Sequence, residues 1–131
     1  MRVHEVVETD AGPAAIGPYS QATKLPVGDK SLVFVAGQIP LDPATGELVS
    51  GSVGEQTHRS MANVKGILEA AGSSLDRIVK TTIFLASMDD FAEVNDAYGS
   101  YFDDAPPARA TVAVLGLPKG VDVEIEVLAY C

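Results

Sequence analysis

Hydrophobic residues along this chain follow two periods, and the shorter period marks the predicted strands. Apolar runs rich in β-branched residues, continuous or alternating with polar residues, are typical of strands that are buried on at least one face. Such runs occur at 32–39, 78–86, 110–117 and 121–130. The segment 10–30 is rich in proline and glycine, so we expect an irregular approach to the fold, with a turn at Val27–Lys30 and room for a short strand.

The longer period, in which apolar residues recur every three or four positions, predicts two helices. The first covers Val53–Ala71, and Gly72 after it suits the left-handed turn that ends many helices. The second covers approximately Asp90–Phe102 and ends before two prolines. Asp90 and Glu93 have the spacing of a capping box, in which two side chains satisfy the free backbone amides at a helix start.

The element order β-β-α-β-α-β-β favours an α+β fold with one mixed or antiparallel sheet and both helices on one face. Two central strands are nevertheless apolar on both faces. In the strand at 32–39, one face has Leu32, Phe34 and Ala36 and the other has Val33 and Val35. In the strand at 78–86, one face has Val79, Ile83 and Leu85 and the other has Ile78 and Phe84. Because the helices cover only one face, we expect the open face to pack against other copies of the chain.

Composition narrows the possible partners. The chain has 131 residues, which fits one domain over 1–131, and 18 acidic against 9 basic residues give a formal charge of -9. Proteins that bind nucleic acids or anionic membranes use clustered lysine and arginine. We therefore expect neither nucleic acid nor a membrane as a partner.

The cellular location and the redox chemistry are predicted from features that the sequence lacks. No apolar run approaches the ~20 residues of a membrane span, and the first ten residues lack the apolar region of a secretory signal. The expected location is cytoplasmic. Cys131 is the only cysteine, so the chain has neither an intrachain disulfide nor a CxxC zinc site.

The last strand contains the first candidate for acid–base chemistry. Its valine and isoleucine positions alternate with Glu124 and Glu126, and its second face ends in Leu128 and Tyr130. The simplest interpretation is a solvated acidic face. A carboxylate at a partly buried edge can also position or deprotonate water, so the two interpretations stay open here.

Four further residues occupy defined positions. Arg109 follows a proline pair and could bind a carboxylate with two parallel hydrogen bonds, or pair with a surface acid. Tyr19 follows a stiff Gly-Pro turn and could simply pack the loop. Asn95 lies near the apolar stripe of the second helix as a structural amide or a site residue. Gly37 indicates a bulge or a close approach by a ligand or backbone.

Several kinds of site find no support in the sequence. His4 and His58 are far apart and have no ligand motif around them, so no metal site is predicted. The acidic residues between 89 and 104 lack the glycine and ligand rhythm of a calcium loop. Phosphate-binding glycine loops and a nucleophile elbow are also missing, so no covalent catalyst is evident.

Six segments of the chain nevertheless form a recognisable set. They are IGPYSQA at 16–22, AGQIPLDPATGEL at 36–48, ANVKGILEAAGSSLDRIVKTTIFL at 62–85, DFAEVNDAYGSYF at 90–102, PPARAT at 106–111 and VEIEVLA at 123–129. In their order and spacing the chain resembles the Rid (YjgF) family of reactive-intermediate deaminases. The resemblance implies a homotrimer with a chorismate-mutase-like α+β fold and active sites between subunits. It also implies hydrolysis of enamines and imines, such as 2-aminoacrylate, to a 2-keto acid and ammonium without a cofactor or metal.

The resemblance assigns roles to individual residues. Arg109 would hold the substrate carboxylate, Tyr19 would lie over the ligand, and Glu124 would orient the attacking water. The Gly37 carbonyl and the Thr111 amide would contact the substrate, and Asn95 would border the cleft.

The sequence departs from the commonest family pattern at two positions. Ala36 replaces a frequent serine, and Thr111 replaces a frequent cysteine, which excludes cysteine chemistry in the cleft. We expect both changes to affect substrate preference more than reaction type. An alternative function is a non-catalytic trimer that binds small 2-keto or other carboxylic acids. A ribonuclease activity, also attached to this family, is disfavoured by the charge of -9.

Overall fold

A computed structural model describes residues 1–131 and contains one mixed sheet and two helices. The strands are β1 (Glu5–Val7), β2 (Ala22–Val27), β3 (Lys30–Gln38), β4 (Ile78–Leu85), β5 (Ala108–Ala113) and β6 (Val123–Tyr130). The helices are α1 (Val53–Ala70) and α2 (Phe91–Gly99). The strand order is β1-β2-β3-β6-β4-β5, in which only β4 and β5 pair in parallel. The predicted α+β fold is confirmed.

The structure also corrects several predicted boundaries. The short strand expected within 10–30 is β2, and it forms a hairpin with β3 through a turn at Gly28, whose φ is 64°. The three-residue strand β1 was not predicted. The strand expected at 110–117 begins and ends earlier, as β5, and the chain beyond it bends away from β4.

Helix α1 follows the sequence pattern closely. Ser52 caps its first turn, since Ser52 Oγ accepts a hydrogen bond of 3.1 Å from the Glu55 amide. The buried stripe is fully covered, with no exposed area on Met61, Val64, Ile67 and Leu68. Gly72 has the predicted left-handed conformation, with φ of 88°.

The predicted capping box at the second helix is wrong. Asp90 ends a short 3₁₀ turn and already has helical dihedral angles (φ -86°, ψ -1°), so its side chain does not cap α2. Glu93 instead reaches across to α1, where its Oε2 accepts a hydrogen bond of 2.8 Å from the Gly54 amide. The carboxylate thus satisfies a free amide at the start of the neighbouring helix.

Both helices pack on one face of the sheet. The buried face includes Val33 and Val35 of β3, Ile83 and Leu85 of β4 and Val123, Ile125 and Val127 of β6. The predicted faces of Ile78 and Val79 are wrong. A register shift between Ile78 and Lys80 returns Ile78 to the helix side, where it is 6% exposed, and leaves Val79, which was grouped with Ile83, 43% exposed.

The other face of the sheet has no covering layer within the chain. Phe34 is 43% exposed and Tyr130 is 39% exposed, while Phe84 and Leu128 are half-buried. Phe34 pairs directly with Leu128 across β3 and β6, and Leu32 pairs with Tyr130 beside them, so these side chains form an apolar patch. Lys80, Thr82 and Glu126 lie on the same face between this patch and Phe84. We refer to this face of the sheet below as the open face.

Candidate functional site

A cavity of about 360 Å³ lies at the open face, where the N-terminal loop meets β3 and β6. Its lining residues are Ile16, Tyr19, Ala36, Gly37, Ile39, Pro118 and Glu124. Four residues that the sequence pointed to, Tyr19, Ala36, Gly37 and Glu124, therefore share one pocket. Its walls are mainly apolar, and Glu124 is its only carboxylate.

Glu124 lies directly against Gly37. A Cβ atom at position 37 would approach Glu124 Oε2 to 2.5 Å and Glu124 Cδ to 2.8 Å. Gly37 also lies within a register shift of the β3–β6 pairing, between Val35 and Gln38. The bulge predicted at Gly37 is confirmed, while the group that approaches it closely is the Glu124 side chain and not a backbone segment. The absence of a side chain at 37 lets the carboxylate lie along the backbone of β3.

The surroundings of Glu124 shift its protonation. Partial burial raises the pKa of Glu124 above its ordinary value, and the nearby Glu126 carboxylate raises it further. A carboxyl group with a raised pKa is a better proton acceptor when ionised, which suits general acid–base catalysis. The solvated-face interpretation fits Glu126, which is exposed, but does not fit Glu124.

The loop that presents Tyr19 is fixed by a buried amide. Gln21 is 4% exposed; its Nε2 donates to the carbonyls of Thr9 (2.9 Å) and Pro13 (2.7 Å), and its Oε1 accepts from the Thr9 amide (2.7 Å). Tyr19 itself is 46% exposed, and its hydroxyl accepts a hydrogen bond of 3.2 Å from the Ile16 amide. Gln21 thus holds the loop while the Tyr19 ring remains available at the mouth of the pocket.

Arg109 lies in a second cluster, between β5 and α2. Its guanidinium carbon is 5.2 Å from the ring centroid of Tyr98 and 5.8 Å from that of Phe91. Asn95 lies between these two aromatic residues on the same side of α2, and it is half-buried. Two rings that flank a guanidinium restrict its position and leave its N–H groups available for an anion.

The Tyr98 ring is itself firmly held. Its hydroxyl donates a hydrogen bond of 2.8 Å to Thr81 Oγ1 inside the core. Burial raises the pKa of Tyr98, so it stays neutral, although the Thr81 hydrogen bond and the Arg109 charge act in the opposite direction. Arg109 therefore rests on a rigid, uncharged platform.

The backbone of β5 adds a hydrogen-bond donor beside Arg109. The Val114 amide donates to the Leu85 carbonyl at 2.9 Å, and successive amides of a strand point to opposite sides. The amides of Arg109 and Thr111 consequently point away from β4. Because β5 is the last strand of the sheet, no neighbouring strand satisfies them.

The two clusters lie on opposite faces of the sheet. Arg109 and Thr111 pair with Thr81 and Ile83, which are buried under the helices, whereas Glu124 pairs with Phe84 on the open face. Strands β5 and β6 are also two positions apart, a separation of about 10 Å. One chain therefore brings Glu124, Gly37, Ala36 and Tyr19 together, and Arg109, Thr111 and Asn95 together. It does not join the two groups.

Other candidate chemistry is weak. His58 Nδ1 lies 2.8 Å from the Tyr101 hydroxyl, which makes it part of a contact between α1 and the end of α2. No three histidine, cysteine, aspartate or glutamate side chains converge as a set of metal ligands. Neither helix combines the length and apolar character needed to span a bilayer.

Sequence reasoning missed the residues that support the two clusters. Gln21 follows the Gly-Pro-Tyr turn, and a glutamine amide among small apolar residues could have indicated a loop anchor. In the sequence, Phe91 and Tyr98 stand out only as members of the apolar stripe of the second helix. Their contact with Arg109 depends on how α2 packs on β5, which no local pattern encodes.

Comparisons with known proteins agree with this arrangement of elements. Residues 9–131 match the model of a family described as Endoribonuclease L-PSP. A RutC family protein of Pyrococcus abyssi is 52% identical to this chain over 126 residues, which cover 96% of each protein. The mouse 2-iminobutanoate/2-iminopropanoate deaminase is 45% identical over 127 residues, covering 97% of this chain and 91% of the mouse protein.

A solved structure extends the comparison to three dimensions. E. coli TdcF with bound serine matches this fold with a TM-score of 0.86 and 43% sequence identity. The match covers 95% of this chain and 97% of the other. At 43% identity over nearly the whole length, the two proteins are similar in sequence as well as in fold.

Proposed function

The chain belongs to the Endoribonuclease L-PSP family, which includes the Rid (YjgF) proteins, and we propose that it hydrolyses small 2-imino acids and their enamine tautomers to 2-oxo acids and ammonium. The observation that most supports this function is the Glu124 carboxylate. It lies against the Gly37 backbone in a mainly apolar pocket, and its pKa is raised. The name of the mouse relative identifies the matching substrate class.

The active site in this proposal forms between two subunits. Arg109 and the Thr111 amide of one subunit bind the substrate carboxylate, and Glu124, Gly37 and Tyr19 of the next subunit surround the imine carbon. The opposite-face placement of Arg109 and Glu124 supports this division, because one small substrate cannot reach both residues of a single chain.

The reaction needs no covalent nucleophile. An imine conjugated to a carboxylate is electrophilic at its carbon. Glu124 accepts a proton from water while the water oxygen bonds to that carbon and the C=N electron pair moves to nitrogen. Glu124 returns this proton to the nitrogen, which gives a carbinolamine. The proton of the new hydroxyl group then passes to the nitrogen as well, the C–N bond breaks with its electron pair on nitrogen, ammonia leaves, and the C=O bond forms. Fixing the carboxylate and the water together supplies the orientation that the uncatalysed reaction lacks.

The remaining residues have supporting roles in the proposal. The Gly37 carbonyl accepts a hydrogen bond from the imine N–H or the water, and Tyr19 lies over the ligand. Asn95 borders the carboxylate side of the cleft through its position between Phe91 and Tyr98. Ala36 presents a methyl group to the pocket where a serine would present a hydroxyl.

A homotrimer is part of the same proposal. The open face carries the exposed apolar side chains of Phe34 and Tyr130 and has no covering layer within the chain, and a threefold assembly would bury it at the centre. A closed ring in which each subunit contacts the next head to tail yields three equivalent clefts. A cytoplasmic location and the lack of a cofactor stay predictions from the sequence.

The test uses Arg109→Ala and Glu124→Gln in a coupled assay that generates the imine from an amino acid and follows ammonia. Arg109→Ala should lower kcat/KM about 100-fold, because it removes two charge-assisted hydrogen bonds to the carboxylate. Glu124→Gln should abolish turnover and keep the binding of 2-oxobutanoate. Binding without turnover in the wild type would instead establish the non-catalytic binder.

A further inference from the structure

We propose that two buried amide side chains of helix α1, those of Gln56 and Asn63, are positioning residues that hold one wall of the Glu124 pocket in place. This inference rests on the proposed function and adds what fixes the place in which Glu124 acts. Neither amide lines the pocket itself. Both act through the backbone segments that follow β3 and precede β6.

One side of the Glu124 pocket is built by a small apolar cluster apart from the main core. Its members are Ile39, Leu41, Val121 and, packed against them, Leu117. Ile39 lines the pocket directly. The cluster belongs to two segments, 39–41 after β3 and 117–121 before β6, which lie outside the strands of the sheet. Buried backbone groups in such segments need hydrogen-bond partners other than neighbouring strands.

Asn63 holds the first of these segments. It has no exposed area, and its Nδ2 donates hydrogen bonds to the Leu41 carbonyl at 2.8 Å and to the Ile39 carbonyl at 3.4 Å. Its Oδ1 accepts two hydrogen bonds from the Arg59 guanidinium, at 2.8 and 3.2 Å. Because Arg59 can only donate, it fixes which end of the amide faces the segment, and Nδ2 stays directed at the two carbonyls.

Gln56 holds the second segment at the residue just before β6. Its Oε1 accepts a hydrogen bond of 3.2 Å from the Asp122 amide, and its Nε2 donates one of 2.9 Å to Asp122 Oδ2. The Asp122 carbonyl also accepts a hydrogen bond of 3.0 Å from the Ala86 amide, beyond the end of β4. Asp122 is thus fixed from two directions, and it lies two residues before Glu124.

The two amides share one side of α1, because they lie seven residues, or two helical turns, apart. Apolar side chains alone would pack there without a fixed register. Hydrogen bonds to named donors and acceptors give both segments one position relative to the helix, since a buried polar network that is fully satisfied is rigid. The wall that includes Ile39 and the start of the strand that carries Glu124 are therefore held by the same helix face.

The first experiment replaces Gln56 by methionine, which keeps the length of the side chain and removes both hydrogen bonds to Asp122. In the ammonia-release assay kcat should fall about tenfold, because the Glu124 carboxylate is less well placed. The acid limb of the kcat–pH profile should also move to lower pH. A carboxylate that becomes more exposed titrates closer to an ordinary glutamate, and its charged neighbour Glu126 is unchanged.

Thr57→Val is the matched control on the same helix. Thr57 is as fully buried as Asn63, but its hydroxyl donates to the Val53 carbonyl within α1, at 2.8 Å. Removal of this hydrogen bond changes the stability of the helix without touching either segment. The kcat of Thr57→Val and its pH profile should therefore equal those of the wild type, whatever the change in the urea midpoint.

The second experiment uses Asn63→Asp. The substitution keeps the acceptor for Arg59 and removes the donor to the Ile39 and Leu41 carbonyls, so the wall should move away from the pocket. A wider pocket favours larger substrates. The ratio of kcat/KM for the imine generated from leucine to that for the imine generated from alanine should rise at least about threefold. If Asn63→Asp does not fold, Gln56→Met decides alone.

Three results would overturn the inference and leave the proposed function intact. The first is a folded Gln56→Met protein with unchanged kcat and an unshifted pH profile. The second is an unchanged leucine-to-alanine ratio in folded Asn63→Asp. The third is an equal loss of kcat in Thr57→Val, because lower stability alone would then explain the effect. A wild-type protein that releases no ammonia would overturn the proposed function, and this inference with it.

Discussion

Arg109 and Glu124 point to opposite faces of the same sheet. Arg109 stacks on Tyr98 under the helices, while Glu124 lies against Gly37 on the face that the helices leave open. Both are placed by strands rather than by loops, so neither can swing around the sheet to join the other. If the two residues act on one substrate, they must belong to different subunits.

The contact between Gly37 and Glu124 gives the first prediction. Gly37→Ala places a methyl group where the carboxylate lies, 2.5 Å from Oε2. The end of a glutamate side chain can move aside, so the protein should fold and the catalytic rate should fall at least about tenfold through misplacement of the carboxylate. The measurement is kcat in the ammonia-release assay.

Gly99→Ala is the matched control for this substitution. A Cβ atom at position 99 meets nothing within 4 Å, and alanine is the better residue at the end of α2. Its kcat should equal that of the wild type. Equal rates for Gly37→Ala and Gly99→Ala would contradict the role given to the contact.

The raised pKa of Glu124 gives the second prediction. In the active form Glu124 is ionised, so turnover should fall as the pH is lowered through its raised pKa. The folded state also holds this proton more tightly than the unfolded chain, whose glutamate titrates near 4.5. The stability that Glu124 contributes is therefore fully present below about pH 4.5 and lost as the pH rises through the raised pKa.

Glu124→Gln has no titratable side chain at position 124, so comparison with the wild type isolates the contribution of Glu124 to the pH dependence of stability. The free energy of unfolding of the wild type minus that of Glu124→Gln should decrease as the pH rises from about 4.5, measured by urea denaturation. A difference that increases with pH would mean that the Glu124 pKa is lowered in the assembled protein.

The open face gives the third prediction. Phe34 is 43% exposed beside Leu128, so Phe34→Glu should place a charge in the subunit interface and yield monomers. Light scattering of the eluted protein measures the mass, which should be three times that of the chain for the wild type. Deaminase activity should disappear together with the trimer.

Lys65→Gln provides the charge-matched control, since it also lowers the net charge by one, and Lys65 is exposed on α1, on the opposite side of the molecule from the open face. It should remain trimeric and active. A Phe34→Glu protein of unchanged mass would show that the open face is not the interface.

The buried amide of Gln21 gives the fourth prediction. Gln21→Ala leaves the carbonyls of Gly12 and Pro13 without their donor, which should lower the free energy of unfolding by about 1–3 kcal/mol. The loop with Tyr19 should also loosen, so KM for the imine should rise more than kcat falls. Glu69→Ala, an exposed change on α1, should alter neither quantity.

The fold was predictable where one face of an element is buried throughout. The alternation of Val123, Ile125 and Val127 with polar residues, and the stripe of α1, follow directly from the core. The errors occurred where tertiary pairing changes a local pattern. The bulge after Ile78 depends on the register with β6, and Glu93 serves the neighbouring helix instead of its own.

The residues of the candidate site were predictable from the sequence, but their arrangement in space was not. Glu124 was distinguishable from Glu126 only once the bulge near Gly37 opened a space beside it, and that bulge depends on the β3–β6 register. The division of the set between two faces follows from the strand order β6-β4-β5, in which Arg109 and Glu124 lie two strands apart. This strand order cannot be deduced from the spacing of the residues along the chain.

The shared active site is tested most directly by mixing two inactive proteins. Arg109→Ala and Glu124→Gln chains are combined in equal amounts, unfolded, refolded together and assayed for ammonia release, with each variant refolded alone as the control. In a cyclic trimer with sites shared between neighbours, about a quarter of the sites receive both native residues, so about a quarter of the wild-type activity should return. Mixed trimers that regain no activity would contradict the shared site.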